Sequence, residues 1–372
     1  MAKSDQKNKK ENSTSHRDRE LMKVAVYYNN RDVRLEDRPM PVIGPGEMMV
    51  KIEACGLCGG DTMEWYLLHK APLILGHEPV GTVVEVGEGV DKFKVGDRVF
   101  MHHHVPCFSC HVCRRGDFTM CDHFTETHLY PQAFAEFVRV PAENVQHDSH
   151  ILPDHISFEE GTLVEPMACV VKGIKKAGIQ PGDTVAIVGA GLMGLGFAQL
   201  APAWGATNVI VFDLNDWRLS MALNLGADHV INPKNVPDPI QALKTLNQGR
   251  VADSVIVTPN GVQAIEFGLS LAGKGATLHL FSPSEPDETI VIKPNDLFFR
   301  EITLTTTYSC SHLDTAQALS FIANGTINAA AMITHRFGLD QVAQAIEVFL
   351  NAEDSVKSVI MPELTSGIGD VE

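Results

Sequence analysis

Thr184-Val185-Ala186-Ile187-Val188-Gly189-Ala190-Gly191-Leu192-Met193-Gly194 is an apolar run that ends in a glycine-rich turn. Such a run suits a parallel strand buried on both faces, where alternation of apolar and polar residues is lost. The G-x-G-x-x-G spacing suits a tight turn that opens a helix, expected to run through Ala201. Val209-Ile210-Val211-Phe212-Asp213 reads as the next strand, and its terminal aspartate lies 19 residues past Gly194. A lone glycine pattern is common by chance. Placed between strand and helix and followed by strand and acid, it is far more specific for a dinucleotide. Gly189, Gly191, Leu192, Met193 and Gly194 are the pyrophosphate candidates. Asp213 is the candidate acceptor for both ribose hydroxyls of NAD and would repel a 2′-phosphate. Arg218 could pair with that phosphate or lie over the adenine face.

Working outward, the alternation continues. Helices are expected at 217–225, 240–246, 262–271 and 313–323, and strands at 229–231, 254–257, 276–281 and 302–305, which makes a six-stranded doubly wound α/β sheet over 166–325. Upstream, Lys23–Tyr28, Met48–Ile52 and Asp91–Val99 are short strand-like stretches punctuated by Pro41-Val42-Ile43-Gly44-Pro45-Gly46. This pattern predicts a β-rich, partly barrel-like domain over 21–165. Residues 326–372 return to mixed strand and helix character and are assigned back to that first domain. Residues 1–20 are polar, mixed in charge and free of an apolar core, which suits a disordered tail rather than a leader peptide.

The formal charge of -16 argues against a nucleic-acid partner. No apolar run reaches the ~18 residues that would cross a bilayer, so no membrane partner is expected. Eight cysteines might suggest disulfides, but four of them, Cys107, Cys110, Cys113 and Cys121, fall within 15 residues. Three thiolates at intervals of three, then one eight residues on, can close a tetrahedral shell with no room for substrate, so a structural zinc lobe is expected over about 105–123. A reducing cytoplasm fits this usage.

A different donor set surrounds Gly76-His77-Glu78. An imidazole beside a carboxylate, with Cys58 about 20 residues upstream, offers the N, O and S ligands that a catalytic zinc takes while keeping one position open. Cys55, Cys169 and Cys310 are read as small core residues. His102-His103-His104 reads as a solvated loop or as pocket lining.

In this order the pieces resemble the zinc-containing medium-chain dehydrogenase/reductase family, which includes alcohol, sorbitol and threonine dehydrogenases, over about residues 22–362. The resemblance implies a GroES-like catalytic domain made from both chain ends, an inserted Rossmann domain and an active site in the cleft between them. It implies that Cys58 and His77 ligate a catalytic zinc. Glu78 and Glu165, the latter in Leu163-Val164-Glu165-Pro166, are alternatives for the third ligand, each able to act through water. A glutamate at position 165 is similar to the sorbitol and threonine branch, which favours secondary alcohols and polyols. His103 is implied to face the substrate pocket, as lining or as the general base that takes the alcohol proton. Gly60 and Met63 stand where relatives carry the hydroxyl and imidazole of a proton relay, so that relay is absent. The expected activity is hydride transfer between a small secondary alcohol and NAD, giving a ketone, with one catalytic and one structural zinc per chain. A homodimer or homotetramer joined at the sheet edge is implied, with Ile290-Val291-Ile292 as the edge strand. The alternatives are a zinc-free reductase or non-redox binding protein on this fold, or a zinc enzyme retaining nucleotide for a non-redox reaction.

Overall fold

The computed structural model describes residues 19–366, so the tail expected over 1–20 lies, up to residue 18, outside the described residues. Strands His229–Ile231, Asn208–Phe212, Thr184–Val188, Ala252–Val257, Ala272–Leu280 and Thr303–Thr306 lie side by side in that order. Every adjacent pair is parallel. Chain order therefore reverses beside Thr184–Val188, whose five residues are all buried. Ligands of such sheets bind outside the carboxyl ends of the strands at the reversal. Helices Leu192–Leu200, Asp216–Asn224, Pro239–Leu246 and Val262–Leu271 connect the strands. The first of them stops at Leu200, passes into a 3-10 turn and closes at Gly205, whose φ of +107° suits glycine alone.

The second body is β-rich. Its main sheet runs Ile333–Phe337, Lys357–Ile360, Met48–Gly56, Glu78–Val86, Arg98–Met101 and Ser149–Ile151, with Phe137–Val140 also paired to Met48–Gly56. A smaller sheet holds Asp32–Pro39, Leu21–Asn29 and Leu73–Ile74. Val359 pairs with Gly56 and Ile360 with Cys55, so the C-terminal part of the chain is laced into the first strands of the β-rich body.

Helix Val164–Lys176 joins the two bodies. The expected boundary at 165/166 falls inside it, because its apolar residues pack in two directions. Val164, Met167, Val171 and Ile174 share one core with Ala54, Val80 and Phe100 on one side and with Val185, Ile187 and Phe197 on the other. Each such aliphatic side chain contributes about 1.5–3 kcal/mol by leaving water. The helix thus bridges the two bodies through one shared core.

One expectation is corrected. Ile290-Val291-Ile292 form no strand; they belong to an irregular connection before helix Pro294–Arg300. The sheet ends at Thr303–Thr306, and among the described residues nothing offers residues 290–292 a ladder of donors and acceptors. Among the described residues no helix is long and apolar enough to cross a membrane.

Candidate active site

Cys58 caps the short 3-10 turn Gly59–Thr62. Its sulfur accepts the Gly60 N–H at 3.4 Å while the Asp61 carboxylate accepts the Cys58 N–H at 3.1 Å. The turn therefore fixes the thiol before any ligand arrives. His77 follows Gly76, which has φ of +94° and packs so closely on Phe134 that a Cβ would come within 2.5 Å of the ring. Asp61 also lies 3.3 Å from His77 Nδ1. A carboxylate there holds that nitrogen protonated and leaves Nε2 for a metal. Burial opposes the imidazolium, but Asp61 and the Cys58 sulfur outweigh it and hold the His77 pKa well above its ordinary value.

Glu78 opens strand Glu78–Val86 and is wholly buried. Its Oε2 pairs with the Nζ of Lys357, which also donates to the Leu57 carbonyl at 2.9 Å. Gly56 must be glycine here, since a Cβ would strike both the Glu78 carboxylate and the lysine tip. Glu78 Oε1 is buried and without a partner. An unpaired buried acceptor costs about 1–3 kcal/mol, a cost that a bound cation removes. The ligand atoms of Cys58, His77 and Glu78 lie within 4.8 Å of one another, so this set fits a zinc with one position left open.

Glu165 is not in that set. It groups instead with His102 and His103, and separately with Cys169 and Cys310, each group spanning no more than 4.8 Å. His103 is buried, its ring centroid is 5.1 Å from that of His77, and its Nδ1 has no partner. Burial, then the neighbouring His104 and His102, hold its pKa well below the usual range. A Cβ on Gly60 would stand 3.8 Å from Cys58 Sγ and 3.9 Å from His77 Cε1, so the residue lacking a relay hydroxyl lies directly beside the candidate ligands.

Sequence reading missed Asp61 and Lys357, which orient ligands, and a buried network around His102. His102 Nδ1 lies 2.9 Å from Asp148 Oδ2. Asp148 Oδ1 in turn is 3.0 Å from His150 Nε2 and accepts the Thr315 hydroxyl at 2.5 Å. No spacing rule links these residues, because His102, the Asp148–His150 segment and Thr315 are far apart in the chain. Cys169 carried a signal, standing four residues after Glu165.

Cys107, Cys110, Cys113 and Cys121 also place their sulfurs within 4.8 Å of one another. The Cys110 N–H donates to Cys107 Sγ and the Cys107 N–H to Cys121 Sγ, each at 3.4 Å. Backbone N–H and hydroxyl donation from Ser109 brings the Cys107 pKa down to about 6. Burial pushes the Cys113 thiol up to about 12, and four sulfurs this close fit a closed tetrahedral zinc shell.

At the sheet reversal, a Cβ on Gly189 would collide with Thr258 and one on Gly194 with the Gly189 carbonyl. Gly191 faces open space, where a Cβ would meet nothing nearer than Arg218 Nη1 at 3.9 Å. Helix Leu192–Leu200 begins there without a side-chain cap, which leaves its N-terminus suited to an anion. Asp213 braces the turn: Oδ2 accepts the Ala190 N–H at 2.6 Å and Oδ1 the Asn215 N–H at 2.8 Å. Arg218 Nη2 donates to the Ser355 carbonyl at 2.7 Å, and its buried Nε has no partner.

Residues 44–154 match the alcohol dehydrogenase GroES-like domain, and residues 193–324 match the zinc-binding dehydrogenase family. A sorbitol dehydrogenase of Bacillus subtilis is 31% identical over 354 residues, covering 91% of this chain and 97% of that protein. The 2R,3R-butanediol dehydrogenase of Bacillus subtilis superposes with a TM-score of 0.81 at 26% identity, over 92% of this chain and 99% of that one. A Sinorhizobium meliloti structure described as a zinc-binding dehydrogenase and bound to NADP gives 0.82 at 29% identity, over 92% and 100%. These likenesses disfavour the zinc-free and non-redox alternatives. The chain belongs to the zinc-containing medium-chain dehydrogenase family and is a zinc-dependent oxidoreductase of small alcohols or polyols that uses a nicotinamide cofactor.

Proposed function

We propose that the chain oxidises a secondary alcohol or polyol to a ketone with NAD, using one catalytic and one structural zinc. The observation that carries this reading is the orphaned Glu78 Oε1 beside Cys58 and His77. In this reading Cys58, His77 and Glu78 hold the catalytic ion, and Cys107, Cys110, Cys113 and Cys121 hold the structural one. Bound zinc supplies Lewis acidity that favours loss of the alcohol proton. Glu165 faces the same cleft as an acceptor for that proton by way of water, since Gly60 and Met63 offer none. His103 lines the pocket as a neutral imidazole.

Gly189, Gly191, Leu192, Met193 and Gly194 cradle the pyrophosphate, and Asp213 takes the ribose hydroxyls. Its carboxylate, already held by two amides, disfavours a 2′-phosphate, so NAD is read as the preferred cofactor, with Arg218 on the adenine side. The chain is read as a homodimer or homotetramer of the cytoplasm, in keeping with its cysteine usage. The domains are read as 21–165 with 326–372, and 166–325, sharing the helix at 164–176.

The deciding experiment screens zinc-replete protein against polyols, hydroxy acids and cyclic alcohols for NAD reduction. A ketone product and a specificity constant for NAD at least about tenfold above NADP are expected. Equal use of both cofactors would show that Arg218 outweighs Asp213. No reduction with any secondary alcohol would overturn the substrate class.

A further inference from the structure

We propose that Glu165, Cys169 and Cys310 form a second site for a thiophilic divalent cation of the zinc and cadmium class, separate from the Cys58, His77 and Glu78 set and adjoining the same cleft. Their ligand atoms lie within 4.8 Å of one another, a span that one ion bridges with metal–sulfur bonds of about 2.3 Å and a metal–oxygen bond of about 2.0–2.2 Å. Glu165 and Cys169 stand one turn apart on helix Val164–Lys176, and side chains at that spacing share a face. Cys310 arrives from the turn before helix His312–Ala323, which packs along the first helix. Ser309, just before it, holds a φ of +54°. That left-handed conformation disfavours a residue with a Cβ, so the packing around Cys310 maintains the turn against a local preference.

The second observation concerns Glu165 itself. Its side chain is 95% buried, given 5% residual exposure. Among the described residues its carboxylate accepts only from two thiols, Cys169 at 3.6 Å and Cys310 at 3.8 Å. A buried carboxylate normally finds a cation or strong N–H donors, and thiols are weak ones. An ion held by the same three groups would supply the missing charge. Two thiolates and one carboxylate exceed a dication by a single negative charge, and two groups nearby offset it. Lys172 lies on the same helix, with Nζ held by the Tyr308 carbonyl at 2.7 Å. His102 Nε2 lies 3.6 Å from Cys310 Sγ. Thiolate ligands select zinc-like ions over magnesium or calcium. Because Glu165 also neighbours His102 and His103, an ion here would sit on the wall of the catalytic cleft and inhibit.

The test adds cadmium to zinc-replete holoenzyme, dialyses it, and measures both metals together with thiolate-to-cadmium charge-transfer absorbance. The wild type is expected to gain one cadmium per chain without losing zinc, whereas Cys169→Ser and Cys310→Ser gain none. Added cadmium is expected to inhibit the wild type and spare Cys169→Ser. Should the buried Cys310→Ser fail to fold, the half-buried Cys169 carries the comparison. Cys58→Ser separates this site from the catalytic one: it is expected to lose a zinc yet still take up the extra cadmium. Equal uptake in the wild type and both cysteine variants, cadmium gained only in exchange for zinc, or loss of the extra ion in Cys58→Ser would each overturn the proposal.

Discussion

Glu78 and Lys357 stand 279 positions apart and share one buried ion pair against the metal-ligand set. Burial raises the Glu78 pKa although Lys357 opposes it. The lysine therefore works against burial and favours the ionised carboxylate. Lys357→Met should cost about 3–5 kcal/mol in chemical denaturation, because it leaves a buried charge uncompensated. The double variant Glu78→Gln/Lys357→Met should recover most of that stability but not the catalytic zinc, as metal analysis would show. His103 is the other residue where the structure chooses between roles. A general base contributes roughly 10²–10⁴ in rate and works best with a pKa near the working pH. Burial and its neighbours move His103 well below that range. His103→Ala should therefore raise KM and leave kcat within a few fold, with zinc content intact. A fall in kcat by the larger factor would restore the base role.

Among the elements, strand Ala272–Leu280 buries His279 with no counter-charge among the described residues. Two hydroxyls flank the ring, Thr305 at 3.0 Å from Nδ1 and Thr307 at 3.2 Å from Nε2, and they satisfy a neutral imidazole in either tautomer. Burial brings its pKa down to about 4. Between that value and the ordinary ~6.5 the unfolded chain binds a proton that the folded chain refuses, so stability rises with pH through this window, by up to roughly 3 kcal/mol. His279→Gln should flatten the dependence of denaturation midpoint on pH between about 4 and 6.5; an unchanged slope would assign it to other histidines. Helix Val164–Lys176 shows what an element reading misses. Its apolar residues are plain in the sequence, but that they pack on two bodies at once is a property of the partners, and a boundary drawn at 165/166 splits it.

For the whole molecule, the two ligand sets predict two zinc ions in protein purified without added metal. Mild chelation should abolish activity before it unfolds the chain, since the open set exchanges faster than the closed four-thiol shell. One zinc or none would sink the catalytic assignment. The edge of the parallel sheet leaves Val291, Phe298 and Phe299 each more than 70% exposed, an apolar surface that a symmetric copy would cover. Light scattering should report a dimer or tetramer, and Val291→Asp with Phe298→Ser should dissociate it. A monomeric wild type at micromolar concentration would contradict the assembly.

The sequence by itself determined the parallel sheet, its glycine turn and the β-rich body around it. Those features rest on local rules: continuous apolar runs for buried strands, the G-x-G-x-x-G spacing between a strand and a helix, and proline and glycine at bends. Motif spacing also drew attention to Cys58, His77, Glu78 and the four clustered cysteines. The tertiary structure alone decided that Glu78, not Glu165, lies with Cys58 and His77, and that Lys357 neutralises one of its oxygens while leaving the other bare. It alone placed Cys169 and Cys310 against Glu165, and Asp148 against His102. The family resemblance places residues 290–292 as an edge strand, yet a strand also needs a partner for its backbone, and partners are supplied by the fold rather than by the segment.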